Sequence, residues 1–247
     1  MSTTISRVAV VTGAGSGIGR AIALTLAETG RAVVLVGRDP SKLRATADLI
    51  AAATPSAQVV AAEGDVASRA DVSRIAEVVA GLGAPVDVLV CNAGTNVRER
   101  SLEKLSHEDW DKMIATNLTG AFNLVHAFLP GMRERGDGLI VQICSVSGIR
   151  ASVLGGAGYS ASKFGQSALG LCIGREEGMK GIRSTVIYPG EVNTPILDAR
   201  PVPVGQERRQ QILQPEDVAA AVRFLVELDA RASVPELVIK PTVDDFF

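Results

Sequence analysis

Aromatic, histidine and cysteine residues are all scarce in this chain of 247: one Trp, two Tyr, two His and three Cys. Cys91, Cys144 and Cys172 lie in or beside apolar segments and show no metal-ligand spacing, so no metal site is expected. Such thiols read as reduced and mostly buried, in a cytoplasmic protein. His107 and His126 fall in no catalytic pattern. Neither charge dominates, with 25 Lys and Arg against 27 Asp and Glu for a net charge of −2. That balance argues against a nucleic-acid partner, which calls for a basic surface. Long apolar runs are also missing, so no membrane span is expected. The opening MSTTISRVAVVTG stops its apolar stretch at Gly13 and lacks a cleavage context, and it does not read as a signal peptide.

What the chain does have is aliphatic material, 47% hydrophobic in all. RVAVVTG, RAVVLVG, AQVVAAEG, PVDVLVC, GLIVQIC and IRSTVIYPG read as strands buried on both faces. IGRAIALTLAETG, SKLRATADLIAAA and RADVSRIAEVVAGLG repeat apolar residues at helical spacing. Asp39 before Pro40 predicts a helix start, and Gly30 and Gly81 predict helix stops. The alternation predicts an α/β fold: a doubly wound parallel sheet of about seven strands with helices on both faces. No linker or repeat divides the chain, so residues 1–247 read as a single domain. Towards the end, ARPVPVGQERRQQILQPEDVA breaks the rhythm, and residues 195–214 are expected to form a substrate loop. EDVAAAVRFLVEL then reads as an amphipathic helix and VPELVIKP as the last strand.

The first strand runs into TGAGSGIGRAIA, with glycines at 13, 17 and 19. Gly13 permits a tight turn, Gly17 a close backbone approach to a pyrophosphate, and Gly19 close packing of helix on strand. The helix N-terminus then offers free N–H groups and partial positive charge to an anion. Four more strings follow in order: CNAG (91–94), NLTG (117–120), YSASK (159–163) and PGEVNT (189–194). Together they resemble the short-chain dehydrogenase/reductase family from about Val8 to Thr194, with the Rossmann-type sheet that membership implies. The resemblance implies that Gly13, Gly15, Ser16, Gly17, Ile18 and Gly19 carry the cofactor phosphates, with Thr12 beside them either as a cofactor contact or as a structural residue. It places the adenosine ribose at the end of VVLVGRD, where Gly37 stands in the position of an NAD-selecting acid and Arg38 follows. A guanidinium suits a 2′-phosphate, so NADP(H) is the preferred cofactor and NAD(H) the alternative. Asp65 resembles the residue that contacts the adenine amino group, Val66 the one packing beside the ring, and Asn92, Ala93 and Gly94 the small residues that leave the cofactor room. Pro189, Gly190, Val192 and Thr194 resemble the segment along the nicotinamide carboxamide.

Tyr159 and Lys163 stand one helical turn apart in a run of small residues, so they share a helix face. The resemblance makes Tyr159 the general acid/base that interconverts a carbonyl and an alcohol. A free phenol has a pKa of about 10, and a nearby ammonium is expected to lower it. Lys163 is expected to supply that charge and to grip the nicotinamide ribose. Ser145 matches the family hydroxyl that stabilises the substrate oxygen, with Ser147 as its competitor. The Ser145–Tyr159 interval is one residue longer than the family's usual one, which predicts a bulge between them. Asn117 resembles the asparagine that bends a helix and holds a water near the lysine. The expected activity is NADP(H)-dependent oxidoreduction of a small carbonyl or alcohol substrate. A non-catalytic NADP(H) sensor is the alternative, and a sugar-nucleotide epimerase a further rival. Leu154, Ile196 and Leu197 are candidates to face an apolar substrate, and Arg150, Arg200 and Arg208 an acidic one. Segments 108–134 and 159–179 are the expected contacts of a homodimer or homotetramer.

Overall fold

The six apolar runs all become strands, and a seventh closes the sheet. They are β1 (Val8–Thr12), β2 (Ala32–Gly37), β3 (Val59–Glu63), β4 (Val86–Cys91), β5 (Gly138–Ile143), β6 (Ile182–Pro189) and β7 (Glu236–Ile239). The computed structural model describes residues 5–244, and in it every strand pairing is parallel, in the order β3-β2-β1-β4-β5-β6-β7. Eight helices connect the strands among the described residues: α1 (Gly17–Ala27), α2 (Pro40–Ala53), α3 (Arg69–Ala80), α4 (His107–Ile114), α5 (Gly120–Arg135), α6 (Ala157–Glu177), α7 (Gln206–Gln211) and α8 (Pro215–Glu227). Side chains alternate across the sheet. Ala9 and Val11 join Ile22 and Leu26 of α1 and Val218 and Val222 of α8, whereas Val8 and Val10 join the layer holding Leu124 and Met132 of α5. Each fully buried Val or Leu in these layers stabilises the fold by about 1.5–3 kcal/mol.

Strand order reverses at β1, whose neighbours are β2 on one side and β4 on the other. Open parallel sheets leave a crevice there, at the carboxyl ends of the strands. Asp39 caps α2 as expected, accepting from the backbone N–H groups of Ser41 and Lys42. One expectation needs correction. β3 is not buried on both faces, because it is an edge strand paired only with β2 and exposes Ala61 and Glu63. Gly81 ends α3 as expected, as its C-cap in a right-handed conformation, and the left-handed Gly83 follows it. The thiols are mostly buried as expected: Cys91 and Cys144 are buried and Cys172 is exposed. Segment 195–214 is partly ordered as a 3-10 turn, Pro195–Ala199, and the short α7. Among the described residues no helix is long and apolar enough to cross a membrane.

Candidate active site

A cavity of about 770 Å³ opens at the carboxyl ends of β1, β4, β5 and β6, and the glycine loop and Tyr159 both line it. That volume is within the usual range for a cofactor or ligand site. At its phosphate end the walls are backbone. Gly13 and Gly17 adopt positive φ of 63° and 50°, a region closed to most side chains. A Cβ on Gly13 would stand 2.8 Å from Asn92 Nδ2, and one on Gly19 would stand 2.3 Å from the Gly13 carbonyl oxygen. Ser16 precedes α1 without capping it through its side chain, so the first N–H groups of the helix await an acceptor from outside. Thr46 Oγ1 donates to Ala14 O at 3.0 Å and Arg20 Nη2 to Gly15 O at 2.5 Å, which ties back the loop's carbonyls. This cradle fits a pyrophosphate.

The other expected cofactor contacts divide. Ser16, Ile18, Asn92, Gly94, Pro189, Gly190, Val192 and Thr194 line the cavity with Gly13 and Gly17. Thr12 is a brace: its hydroxyl donates to Val90 O and accepts from the N–H groups of Asn92 and Ala93, joining β1 to the end of β4. Gly15 packs on α2, where an added Cβ would stand 2.9 Å from Lys42 Cβ. Arg38 is exposed at the rim and pairs loosely with Asp65 at 3.9 Å, in a second, smaller depression. Asp65 Oδ1 also accepts from Ala67 N at 2.9 Å. Val66 departs from expectation. Its side chain is buried in the core against Gly120, which lacks the Cβ that would displace it, and it lines neither cavity.

The reacting end is built from buried polar side chains. Tyr159 and Lys163 lie on one face of α6, with the Lys163 amine 5.8 Å from the centre of the phenol ring. Lys163 Nζ donates to Ile143 O at 3.0 Å and to Gln166 Oε1 at 2.7 Å. Gln166 in turn donates to Gln142 Oε1 and Cys91 O. Asn117 sits in a π-helical turn, Ala115–Thr119, between α4 and α5. It accepts from Thr95 N and donates to Thr95 O and Ser162 Oγ, and that hydroxyl donates to Tyr159 O. Asn117 thereby anchors the turn that presents the phenol. Ser145 lies two residues beyond β5 and caps a 3-10 turn, Val146–Gly148, within the longer Ser145–Tyr159 interval. Ser147 lines the same cavity.

The electrostatics run against the expected lowering of the phenol. Burial pushes Tyr159 up to about 12, while the Ser145 hydroxyl and the positive charge of Arg100 pull the other way. Burial also lowers the Lys163 amine, whose donors are turned to Ile143 and Gln166. Loss of water outweighs the neighbouring charge for both groups. Leu197 lines the cavity from a buried position and Ile196 and Leu154 from exposed ones. Arg200 and Arg208 line it too, whereas Arg150 does not.

Arg100, Gln166, Arg20 and Thr46 went unnoticed in the sequence. Gln166 did carry a signal, since it follows Lys163 by three residues and so shares its helix face. Arg100 carried none, because VRERS resembles any solvated charged run.

The short chain dehydrogenase family model matches residues 7–202. An acetoacetyl-CoA reductase of Rhizobium meliloti is 38% identical over 92% of this chain and 93% of that one. An alcohol dehydrogenase of Thermococcus sibiricus, solved with 5-hydroxy-NADP, superposes with a TM-score of 0.86 at 31% identity, covering 97% of this chain and 98% of the other. A variant of the actinorhodin polyketide ketoreductase, solved with NADPH, gives 0.85 at 33% identity over 97% of each chain. The chain belongs to the short-chain dehydrogenase/reductase family and is an oxidoreductase of the type that acts on CH–OH and carbonyl groups.

Proposed function

We propose that this protein reduces a carbonyl to an alcohol with NADPH as hydride donor, and that Tyr159 gives the proton. The observation that carries this reading is the half-buried Tyr159 phenol beside the buried Ser145 and Lys163, in one cavity with the glycine loop. When bound, the cofactor supplies a hydride from its nicotinamide ring. A phenol held near 12 stays protonated at neutral pH, which suits a proton donor in the reductive direction. Ser145 offers its hydroxyl to the carbonyl oxygen as negative charge develops there. Lys163 has three N–H donors and uses two within the protein, which leaves one for a ribose hydroxyl. Gly94 keeps the space before that amine open, since a Cβ there would stand 3.6 Å from Nζ. Asn117 positions the Tyr159 turn through Ser162.

The preference for NADP(H) rests on Arg38. Asp39, the nearest carboxylate in sequence, is engaged in capping α2 and in a 3.6 Å pair with Lys42, which disfavours it as a ribose ligand. NAD(H) fits the same cradle less well. The NADP-type ligands of the two solved relatives support this choice, and the acetoacetyl-CoA reductase supports a carbonyl substrate. Segment 195–214 serves as the substrate loop of a single domain. Exposed Trp110, Phe122 and Phe164 on α4, α5 and α6 support a homodimer or homotetramer, and the free thiols support a place in the cytoplasm.

The test is oxidation of NADPH and of NADH against aldehydes, ketones and 3-oxoacyl thioesters. Turnover with at least one class and a lower KM for NADPH is expected. Tight NADPH binding with no turnover of any compound would mark a sensor and end the reductase reading.

A further inference from the structure

Four charged side chains are buried among the described residues: Asp87, Arg100, Lys163 and Glu177. Asp87 is paired with Arg31, and Glu177 with Arg133 and Lys180. Lys163 is accounted for by the reacting site. Arg100 is not.

Its guanidinium has no carboxylate within ion-pair distance among the described residues. It donates instead to three backbone carbonyls, Val97 O at 2.7 Å, Leu154 O at 3.0 Å and Ala199 O at 2.6 Å. Those bonds tie together the loops after β4, β5 and β6 and use three of its five N–H groups. Carbonyl dipoles do not cancel a full charge, and an unpaired buried cation is costly. A clamp for three loops does not by itself need a cation in that place.

A second guanidinium stands nearby. Arg200 lines the same cavity, and its positive charge, after burial, is what depresses the ionisation of Arg100. Arg200 Nη1 is ion-paired with Glu191 Oε1 at 2.5 Å, and that is its one carboxylate among the described residues. Glu191 is shared, since its other oxygen accepts from Arg208 Nε at 2.8 Å. Arg100, with two N–H groups unspent and no carboxylate, and Arg200, whose Glu191 is shared with Arg208 while Arg208 also pairs with Asp244, thus face one cavity. An anion held between them would satisfy both. Arg100 and Tyr159 line the same cavity, so that anion would belong to a small compound whose carbonyl meets the phenol.

We propose that Arg100 and Arg200 form an anion subsite at the substrate end of the cavity, selecting carbonyl substrates that bear a carboxylate or a phosphate-type group close to the reacting carbon. The carbonyl half of this statement rests on the reductase reading, while the anion half rests on the two guanidiniums alone. The experiment separates them. Calorimetric titration of the full chain with unreactive butanoate, butanamide and propylphosphonate reads the subsite without turnover. One of the two anions is expected to bind about 10- to 100-fold more tightly than the amide. Tighter butanoate identifies a carboxylate, and tighter propylphosphonate a phosphate-type group.

NADPH oxidation with 3-oxobutanoate, its methyl ester and (2-oxopropyl)phosphonate reads the same preference in catalysis. Arg200→Gln is expected to raise KM for the charged compound about 10-fold or more and to collapse its advantage over the ester. Arg100→Gln, which keeps hydrogen-bond donors for the loops but removes the charge, is expected to do the same. Arg100→Lys should retain part of the preference. Equal binding of amide and anions overturns the subsite, and so does an anion preference unchanged in both glutamine variants. If an anion binds but nothing oxidises NADPH, the subsite holds and the reductase reading fails.

Discussion

The two ends of the cavity are made by opposite means. The phosphate end is shaped by side chains that are missing: Gly13, Gly17 and Gly19 lie where an added carbon would strike Asn92, Thr194 or backbone. At the reacting end the shape comes from polar side chains kept where apolar ones usually go, with Asn117, Ser162 and Gln166 fully buried and Lys163 nearly so. An enclosure of backbone tolerates no additions but needs no chemistry of its own. A web of buried donors and acceptors tolerates no subtraction, because each unpaired group costs free energy. Substitutions at the two ends should therefore fail in different ways.

The largest effect is expected from Tyr159→Phe. It removes the proton donor and leaves the glycine loop untouched, so kcat should fall about 100- to 10,000-fold while NADPH affinity stays within a few-fold. Stopped-flow reduction and a cofactor titration measure the two separately. The parent enzyme adds a pH signature. With burial holding the phenol near 12, reductive kcat should stay flat from pH 6 to 9, because the donor remains protonated throughout. Alcohol oxidation needs the deprotonated phenol and should still be rising at pH 10. A bell centred near neutrality would show that a bound cofactor lowers the phenol far below its value in the chain alone.

Gly19→Ala tests the other end. Its Cβ would stand 2.3 Å from the Gly13 carbonyl oxygen, a contact that only backbone movement relieves. Overpacking of this kind costs about 1–3 kcal/mol, or roughly 2–10 °C in Tm for a domain of this size. NADPH affinity should fall with it. Gly205→Ala is the control, since nothing lies within 4 Å of its added carbon, and its Tm should not fall.

The same contrast decided how much was legible in the sequence. The phosphate end depends on glycine at fixed intervals between a strand and a helix, a local pattern that survives in one dimension. The strand order and the edge positions were less legible: AQVVAAEG has the apolar content of a buried strand, yet β3 has only one neighbour. At the reacting end the strings located Tyr159, Lys163, Ser145 and Asn117 but not their partners. Gln142 and Gln166 lie 24 residues apart and meet only through the packing of α6 on β5 and β6. The upward push on the Tyr159 phenol in the chain alone is illegible for the same reason, because burial is a property of the assembled cavity. Val66 shows the converse, a residue given to the cofactor that Gly120 admits into the core.

Arg38→Ala sharpens the comparison at the rim, where neither absence nor burial operates. Arg38 is exposed and only loosely paired with Asp65 at 3.9 Å, so it is free to meet a 2′-phosphate. Charge-assisted contacts at such a surface site are modest, and KM for NADPH should rise about 10-fold with kcat unchanged. KM for NADH should move less than two-fold. A variant indifferent to the cofactor phosphate would move the discriminating group elsewhere on the rim.

The smallest effect is expected at the far end of the helix that carries Tyr159 and Lys163. Glu177, the last residue of α6, accepts from Arg133 Nε and Nη2, both at 2.6 Å, and from Lys180. The Arg133 hydrogen bonds, more than the charge of Lys180, draw its carboxyl down to about 2 from an ordinary value of 4.5. A depressed carboxylate stabilises the fold above its unfolded pKa and loses that contribution as pH falls through the folded one. Glu177→Gln should therefore lower Tm by about 2–4 °C at pH 7. The difference from the parent should narrow steadily below pH 4.5 and be nearly gone at pH 2, if both proteins remain folded there. Because Glu177 lies 14 residues beyond Lys163 on a continuous helix, kcat should change less than two-fold. A larger loss of kcat would mean that the reacting end depends on the tilt of the whole helix as well as on its local web of hydrogen bonds.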